Sequence, residues 1–152
     1  MEGRVPMYGK MLLPVDGSEV SNHAAQQGLM LAKALGSKVI FHYVIDISIV
    51  TLPDAEMGIS NIDAIRKSFT EQGNKVIADF SSSAREMGVG FETVITEGDV
   101  HDEIINMAAD KGAELIVMGT HGRRGLNRLL LGSVAESVTK RAHCPVLLIR
   151  PD

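Results

Sequence analysis

The fold of this chain is decided by the stretch Leu115-Ile-Val-Met-Gly119-Thr-His-Gly122-Arg-Arg-Gly-Leu-Asn-Arg-Leu-Leu-Leu-Gly132-Ser133. Its first four residues are all apolar, as expected of a parallel strand covered on both faces. The glycines that follow let backbone N–H groups approach an anion without a Cβ in the way. A helix that begins at Ser133 would turn its unpaired amides and positive dipole end toward that anion. The stretch therefore predicts a strand, a phosphate-type loop and a helix.

Short apolar runs alternate with helical patterns on the N-terminal side of this stretch and beyond it. Strands are expected to begin near Met11, Val39, Phe91, Leu115 and Val146, with amphipathic helices between them. An order of β-α-β-α-β-α-β-α-β predicts parallel strands, right-handed crossovers and helices on both faces of the sheet. Ligands of such sheets bind beyond the carboxyl ends of the strands, where the strand order reverses.

Local signals indicate where the helices begin and end. Ser18 is expected to cap the first helix, with Val20, Ala24, Leu31 and Leu35 in its buried stripe. Residues 46–60 are expected to form a loop, which is a candidate lid or interface segment. The long helix after this loop contains Gly73, which should weaken it by ~1 kcal/mol relative to alanine.

Composition predicts a single domain over residues 1–152, with residues 1–8 as a flexible extension. Hydrophobic residues make up 45% of the chain and charged residues 22%, which is ordinary for a globular protein. No apolar stretch reaches the ~18 residues of a membrane span, and the N-terminus lacks the apolar core of a signal peptide. One cysteine, Cys144, cannot form an internal disulfide, which favours a cytoplasmic location.

Charge argues against nucleic acid as a partner. The net charge is −4, aromatic residues make up only 4% of the chain, and there is no tryptophan for base stacking. The charge is unevenly spread, because residues 119–152 hold six lysines or arginines against two acids. Residues 1–118 hold the other nine bases against seventeen acids. The basic excess therefore coincides with the glycine-rich stretch.

Motifs for other kinds of site are missing. The chain has no Gly-Lys-Ser/Thr for a P-loop and no Gly-x-Gly-x-x-Gly fingerprint. Its histidines lack zinc-type spacing, so no structural metal is expected. There is no Asp–Asn pair for two metals and no nucleophile with an adjacent base, so no catalytic residue is assigned.

The chain resembles the ATP-binding branch of the universal stress protein family. That branch is marked by Gly-x2-Gly-x9-Gly-Ser/Thr, which this chain has at Gly119, Gly122, Gly132 and Ser133. The resemblance extends over the whole chain, since other family segments occur in matching order. These segments are Leu-Pro-Val-Asp16-Gly-Ser, His42-Tyr-Val-Ile-Asp46 and Cys144-Pro-Val-Leu-Leu-Ile.

The resemblance implies an α/β fold of the Rossmann-like, adenine-nucleotide alpha hydrolase-like kind. Its sheet would be an open, parallel, five-stranded sheet with strand order 3-2-1-4-5. An apolar strand from Val146 onward would then lie at an edge that invites association. Family members commonly pair this strand across a two-fold axis, so a homodimer through Val146 to Arg150 is expected.

The resemblance also implies a ligand, which is ATP, or else ADP or AMP, with Mg²⁺ accompanying the triphosphate. Asp16 would lie beside the adenine and ribose, Val44 would line the adenine pocket, and the glycine loop with Ser133 would hold the phosphates. The chain would then act as a nucleotide-dependent module in stress signalling that is read by an unidentified protein partner. The expected cofactor-binding residues are Pro14, Val15, Asp16, Val44, Met118, Gly119, His121, Gly122, Arg123, Gly132, Ser133 and Val134.

Two other functions remain open. One is a slow ATPase or autokinase in the same pocket, with His121 or Ser133 as the reacting group. The other is a dimeric interaction protein whose site is empty. An adenylyl-transferring relative is disfavoured because neither His-x-Gly-His nor Ser-Gly-Gly-x-Asp-Ser occurs.

Each site residue also has a purely structural explanation. Ser133 can cap its own helix in a capping box with Glu136, and Asp16 can cap the helix that starts near Ser18. The glycines can simply permit a tight turn from strand to helix, and His121 can be a loop histidine that points to water.

Overall fold

The computed structural model describes residues 7–50, 59–121 and 130–151, with the backbone alone at 49–50 and 59–61. These residues form one α/β domain around a five-stranded parallel sheet. Its elements, in chain order, are β1 Lys10–Pro14, α1 Glu19–Leu35, β2 Lys38–Asp46, α2 Ile47–Val50, α3 Ile59–Met87, β3 Phe91–Gly98, α4 Val100–Lys111, β4 Leu115–Gly119, α5 Ser133–Arg141 and β5 Val146–Ile149.

The strand order is β3-β2-β1-β4-β5, which confirms the expected topology. β1 lies at the centre and pairs with both β2 and β4, so the order reverses between β1 and β4. β1 ends at Pro14, which lacks an N–H group, and the next residue, Val15, donates to the carbonyl oxygen of His42 at 2.9 Å. The carboxyl ends of β1, β2 and β4 therefore meet at one edge of the sheet.

The sheet separates two layers of core, because successive strand residues point to opposite faces. Leu13 and Phe41 face α1 and α3, whereas Leu12, Ile40 and Ile116 face α4 and α5. Each helix presents one apolar face to the sheet. None of the helices in the described ranges is long and apolar enough to cross a membrane.

The buried face of α1 differs from the expected stripe. Ala24 is buried as expected, but Val20, Leu31 and Leu35 are only partly buried, and the face that meets the sheet consists mainly of small residues around Gly28. A Cβ at Gly28 would lie 2.6 Å from Leu13 Cδ2. The helix therefore packs close to β1, and small side chains are needed at the contact.

The segment expected to be a loop at 46–60 is partly helical. Ile47–Val50 forms the short helix α2, and α3 begins at Ile59, while residues 51–58 lie outside the described residues. At the other end of the domain, Tyr8 belongs to the segment expected to be a flexible extension, but it packs against the core.

Gly73 in α3 is explained by contact with β2. A Cβ at this position would lie 2.6 Å from Cδ1 and 2.9 Å from Cε1 of the buried Tyr43 ring. The loss of helix propensity at glycine is thus offset by close approach of α3 to the sheet. This contact places the first half of α3 beside the carboxyl end of β2.

Candidate functional site

A cleft of about 360 Å³ opens at the carboxyl ends of β1, β2 and β4. Its volume falls within the range that small-molecule sites usually have. Every expected binding residue that the structure describes lines this cleft, although they come from four separate parts of the chain. These residues are Pro14, Val15, Asp16, Val44, Met118, Gly119, His121, Gly132, Ser133 and Val134.

Two expected binding residues, Gly122 and Arg123, lie outside the described residues. Other lining residues were not singled out from the sequence as binding residues, although several directly follow a strand or open a helix. The topological rule that ligands bind at strand carboxyl ends would have pointed to those after β2 and β3. The additional lining residues are Ser21, His42, Tyr43, Asp46, Ser48, Phe69, Asp99, Val100, His101, Ile104 and Ala135.

The N-terminus of α5 forms one end of the cleft and has no side-chain cap. Gly132 occupies the N-cap position, and Ser133 is the first helical residue. The structural explanation of Ser133 as an N-cap is therefore wrong. The capping box with Glu136 is not formed either, because Ser133 is not the N-cap; Glu136 Oε1 accepts a hydrogen bond from Lys140 Nζ at 2.7 Å. This bond lowers the pKa of the Glu136 carboxyl group.

The two other helices with defined N-caps in the described residues do use a side chain. Ser18 Oγ accepts from the Ser21 N–H at 3.2 Å in α1, and Asp99 Oδ1 accepts from the Asp102 N–H at 3.3 Å in α4. The first-turn amides of any α-helix lack intrahelical acceptors. At α5 the first residues line the cleft and no side chain among the described residues caps them, so this end suits an anion.

Both described glycines of the motif are required by lack of space. A Cβ at Gly119 would lie 2.7 Å from Val20 Cγ1, and one at Gly132 would lie 2.9 Å from the Thr120 carbonyl oxygen. Gly132 also donates its N–H to that carbonyl oxygen at 2.8 Å. The glycines therefore bring the start of α5 against the end of β4, which places the α5 amides in the cleft.

Asp16 shapes the turn between β1 and α1. Its Oδ1 accepts from the Ser18 N–H at 2.8 Å, and its own N–H donates to Ser21 Oγ at 2.9 Å. Ser18, and not Asp16, is the N-cap of α1. The half-buried Asp16 carboxylate is thus held at the cleft edge by its turn, where it can accept hydrogen bonds from a ligand.

His42 is fully buried beneath the cleft on β2. Its Nε2 lies 2.7 Å from Thr96 Oγ1 on the adjacent strand β3. Its Nδ1 has no hydrogen-bond partner among the described residues. Burial lowers the pKa of His42 from 6.5 to about 4, because the charged ring would lose its hydration. The ring is therefore neutral near pH 7.

Acidic groups around the N-terminus of α4 pair with nearby bases. His101 Nδ1 lies 2.7 Å from Asp99 Oδ1 and 3.2 Å from Asp102 Oδ1, and Arg141 Nη1 donates to Asp102 Oδ1 at 2.8 Å. His121, beside β4, is half-buried, with Nδ1 2.8 Å from Thr120 Oγ1. The acids around the α4 N-terminus disfavour an anion there.

The sequence of this chain matches one known family over almost its whole length. The sequence model of the universal stress protein family covers residues 7–150. The chain belongs to the universal stress protein family. It is 43% identical over 145 residues to universal stress protein MJ0531 of Methanocaldococcus jannaschii, a match that covers 95% of this chain and 83% of the relative.

Solved structures share the fold of this universal stress protein. The structure of MJ0577 from M. jannaschii superposes with a TM-score of 0.86 at 29% identity, covering 96% of this chain and 98% of that one. A universal stress protein family member from Arabidopsis thaliana was solved with AMP bound. It superposes at a TM-score of 0.68 and 22% identity, covering 94% of this chain and 92% of that one, which shows a common fold.

Proposed function

We propose that this universal stress protein binds an adenine nucleotide in the cleft and acts as a nucleotide-dependent module of the stress response in the cytoplasm. ATP is the first candidate, with ADP and AMP as alternatives. The observation that carries the proposal is the uncapped N-terminus of α5, where Gly132 leaves the first-turn amides facing the cleft. An anionic group is the ligand that such amides favour.

The rest of the cleft suits a nucleoside. Val15, Val44 and Met118 provide apolar surface for a base. Asp16 can accept hydrogen bonds from sugar hydroxyls, as acidic residues do in dinucleotide sites. The related fold of the Arabidopsis protein has room for AMP. A Mg²⁺ ion would enter with the triphosphate, because Mg²⁺ commonly bridges phosphates and needs few protein ligands.

Slow ATP hydrolysis or autophosphorylation is the second candidate function. It is favoured by the position of His121 and Ser133, which both line the cleft near the α5 N-terminus. Single-turnover measurements with labelled ATP distinguish the two functions. A pure binding module returns the ATP intact, whereas a slow enzyme forms ADP or phosphoprotein at a rate that follows site occupancy.

We further propose that the protein forms a homodimer through the strand Val146 to Arg150. β5 lies at the edge of the sheet and pairs only with β4 among the described strands, and Leu147 is 40% exposed. Unpaired edges of this kind favour association with another strand. Nucleotide occupancy would then change a surface that a partner protein reads. A dimeric interaction protein with an empty cleft is the alternative.

The test is to denature the freshly purified protein and identify the released small molecules by anion-exchange chromatography and mass spectrometry. The proposal predicts ATP, ADP or AMP in near-stoichiometric amount, or binding of added ATP–Mg²⁺ by calorimetry if the cleft is purified empty. A protein that neither releases an adenine nucleotide nor binds added ATP–Mg²⁺ would leave the empty dimeric scaffold as the better explanation.

A further inference from the structure

The buried His42 ring has one nitrogen whose hydrogen-bonding capacity is not used. His42 is 0% exposed, its Nε2 contacts Thr96 Oγ1, and its Nδ1 has no partner among the described residues. Leaving a buried polar atom unpaired costs on the order of 1–3 kcal/mol. Such an atom in a native protein calls for a partner that the described part of the chain does not supply.

The position of His42 indicates which part of a ligand that partner would be. His42 and Val44 are two residues apart on β2, so they point to the same face of the sheet. Both line the cleft, with His42 deeper because it is fully buried and Val44 is half-buried. Burial keeps the ring neutral near pH 7, so the site suits an uncharged heteroaromatic edge and not a phosphate. The phosphates belong at the α5 end.

The contact with Thr96 allows His42 Nδ1 to pair with either a hydrogen-bond donor or a hydrogen-bond acceptor on the ligand. A threonine hydroxyl can donate or accept, and a neutral imidazole carries one donor and one acceptor nitrogen. When Nε2–H donates to Thr96 Oγ1, Nδ1 is an acceptor; when the hydroxyl donates to Nε2, Nδ1–H is a donor. The β2–β3 pairing places Thr96 directly opposite Val44, so the His42–Thr96 contact lies beside Val44 in the sheet.

We propose that His42 Nδ1 forms a hydrogen bond with the polar edge of the purine base, with Thr96 fixing the ring orientation and tautomer. This inference rests on the proposed nucleotide binding and assigns the deep end of the cleft to the base. It adds a polar contact from this chain's own buried histidine to an otherwise apolar base pocket.

Two substitutions separate the ligand contact from the contact with Thr96. In His42→Gln the amide reaches the Nε2 position, so the contact with Thr96 is kept and the Nδ1 group is lost. In His42→Asn the shorter amide occupies the Nδ1 position, and the contact with Thr96 is lost. ATP–Mg²⁺ affinity by calorimetry should fall about tenfold in His42→Gln, as expected for one buried hydrogen bond. In His42→Asn it should stay within about threefold.

A purely structural role for His42 predicts the reverse order, since only the glutamine keeps the contact with Thr96. Wild-type affinity in His42→Gln would therefore overturn the inference while leaving the proposed function intact. Failure of the wild-type protein to bind ATP–Mg²⁺ would overturn both. Thermal unfolding of each variant checks that it is folded.

A measurement on the wild-type protein needs no variant. The ¹⁵N shift of His42 Nδ1 reports its protonation and hydrogen bonding. ATP–Mg²⁺ is expected to move this shift, whereas inorganic tripolyphosphate, which lacks a base, should leave it unchanged. An Nδ1 shift that ATP does not change, under conditions where calorimetry shows binding, would contradict the contact with the base.

Discussion

Gly132→Asp is expected to weaken ATP–Mg²⁺ binding by at least ~100-fold, or about 2.7 kcal/mol. Position 132 is the N-cap of α5, where aspartate is among the favoured residues. The new carboxylate would accept hydrogen bonds from the same first-turn amides that the phosphates need, and its charge would repel them. In the variant, the new carboxylate thus takes the place of the ligand phosphate at the α5 amides.

Gly132→Asn is the matched control for charge. Both side chains have the same size, and both place a Cβ where it would meet the Thr120 carbonyl oxygen at 2.9 Å. Both variants should therefore share the cost of moving the start of α5 away from β4. Calorimetry should show a clearly smaller loss of affinity for asparagine than for aspartate. Equal affinity losses would mean that charge repulsion contributes nothing, and that crowding or occupation of the α5 amides by the new side chain explains the effect.

Acidification is expected to destabilise the protein through His42. The pKa of an unperturbed histidine, taken here for the unfolded state, is 6.5, and burial lowers the pKa of His42 in the folded protein to about 4. Above pH 6.5 both the folded and unfolded states are neutral at this residue, and it contributes nothing to the pH dependence. As the pH falls from 6.5 toward 4, only the unfolded state takes up the proton, so stability is lost. The loss is about 2 kcal/mol at pH 5 and about 3 kcal/mol in full.

The free energy of unfolding by urea at pH 7.5 and pH 5, in wild type and in His42→Gln, measures this contribution. Glutamine does not titrate, and the other four histidines are common to both proteins. The wild type should therefore lose about 2 kcal/mol more than the variant between the two pH values. Parallel losses in the two proteins would show that the ring is solvated or already protonated in the folded state.

The parallel sheet and the place of the cleft were predictable because strands and helices alternate along the chain. Alternation of strands and helices implies a parallel sheet, and the family resemblance supplied the order 3-2-1-4-5. The strand-end residues Asp16, Val44 and Gly119 then had to meet at one edge. Binding by these residues stays a prediction, as does the role of Gly122 and Arg123.

The details that could not be predicted depend on distances between elements. The buried face of α1 is made of small residues because Gly28 lies against Leu13, and hydrophobicity alone favours the larger leucines. The contact of His42 with Thr96 depends on the register of β2 and β3, which the sequence of either strand does not reveal. The missing cap of α5 likewise depends on Gly132 taking the position that Ser133 was expected to occupy.

The measurement that tests the central claim most directly is a map of backbone amide shifts on adding ATP–Mg²⁺. The account predicts the largest changes at the amides of Ser133 and Val134, because these N–H groups would donate to phosphate. The amides of Ser18 and Ser21, at the α1 N-terminus that already has a side-chain cap, should change much less. Largest shifts at α1, or none at α5 while ATP is bound, would contradict the assignment of the phosphate site.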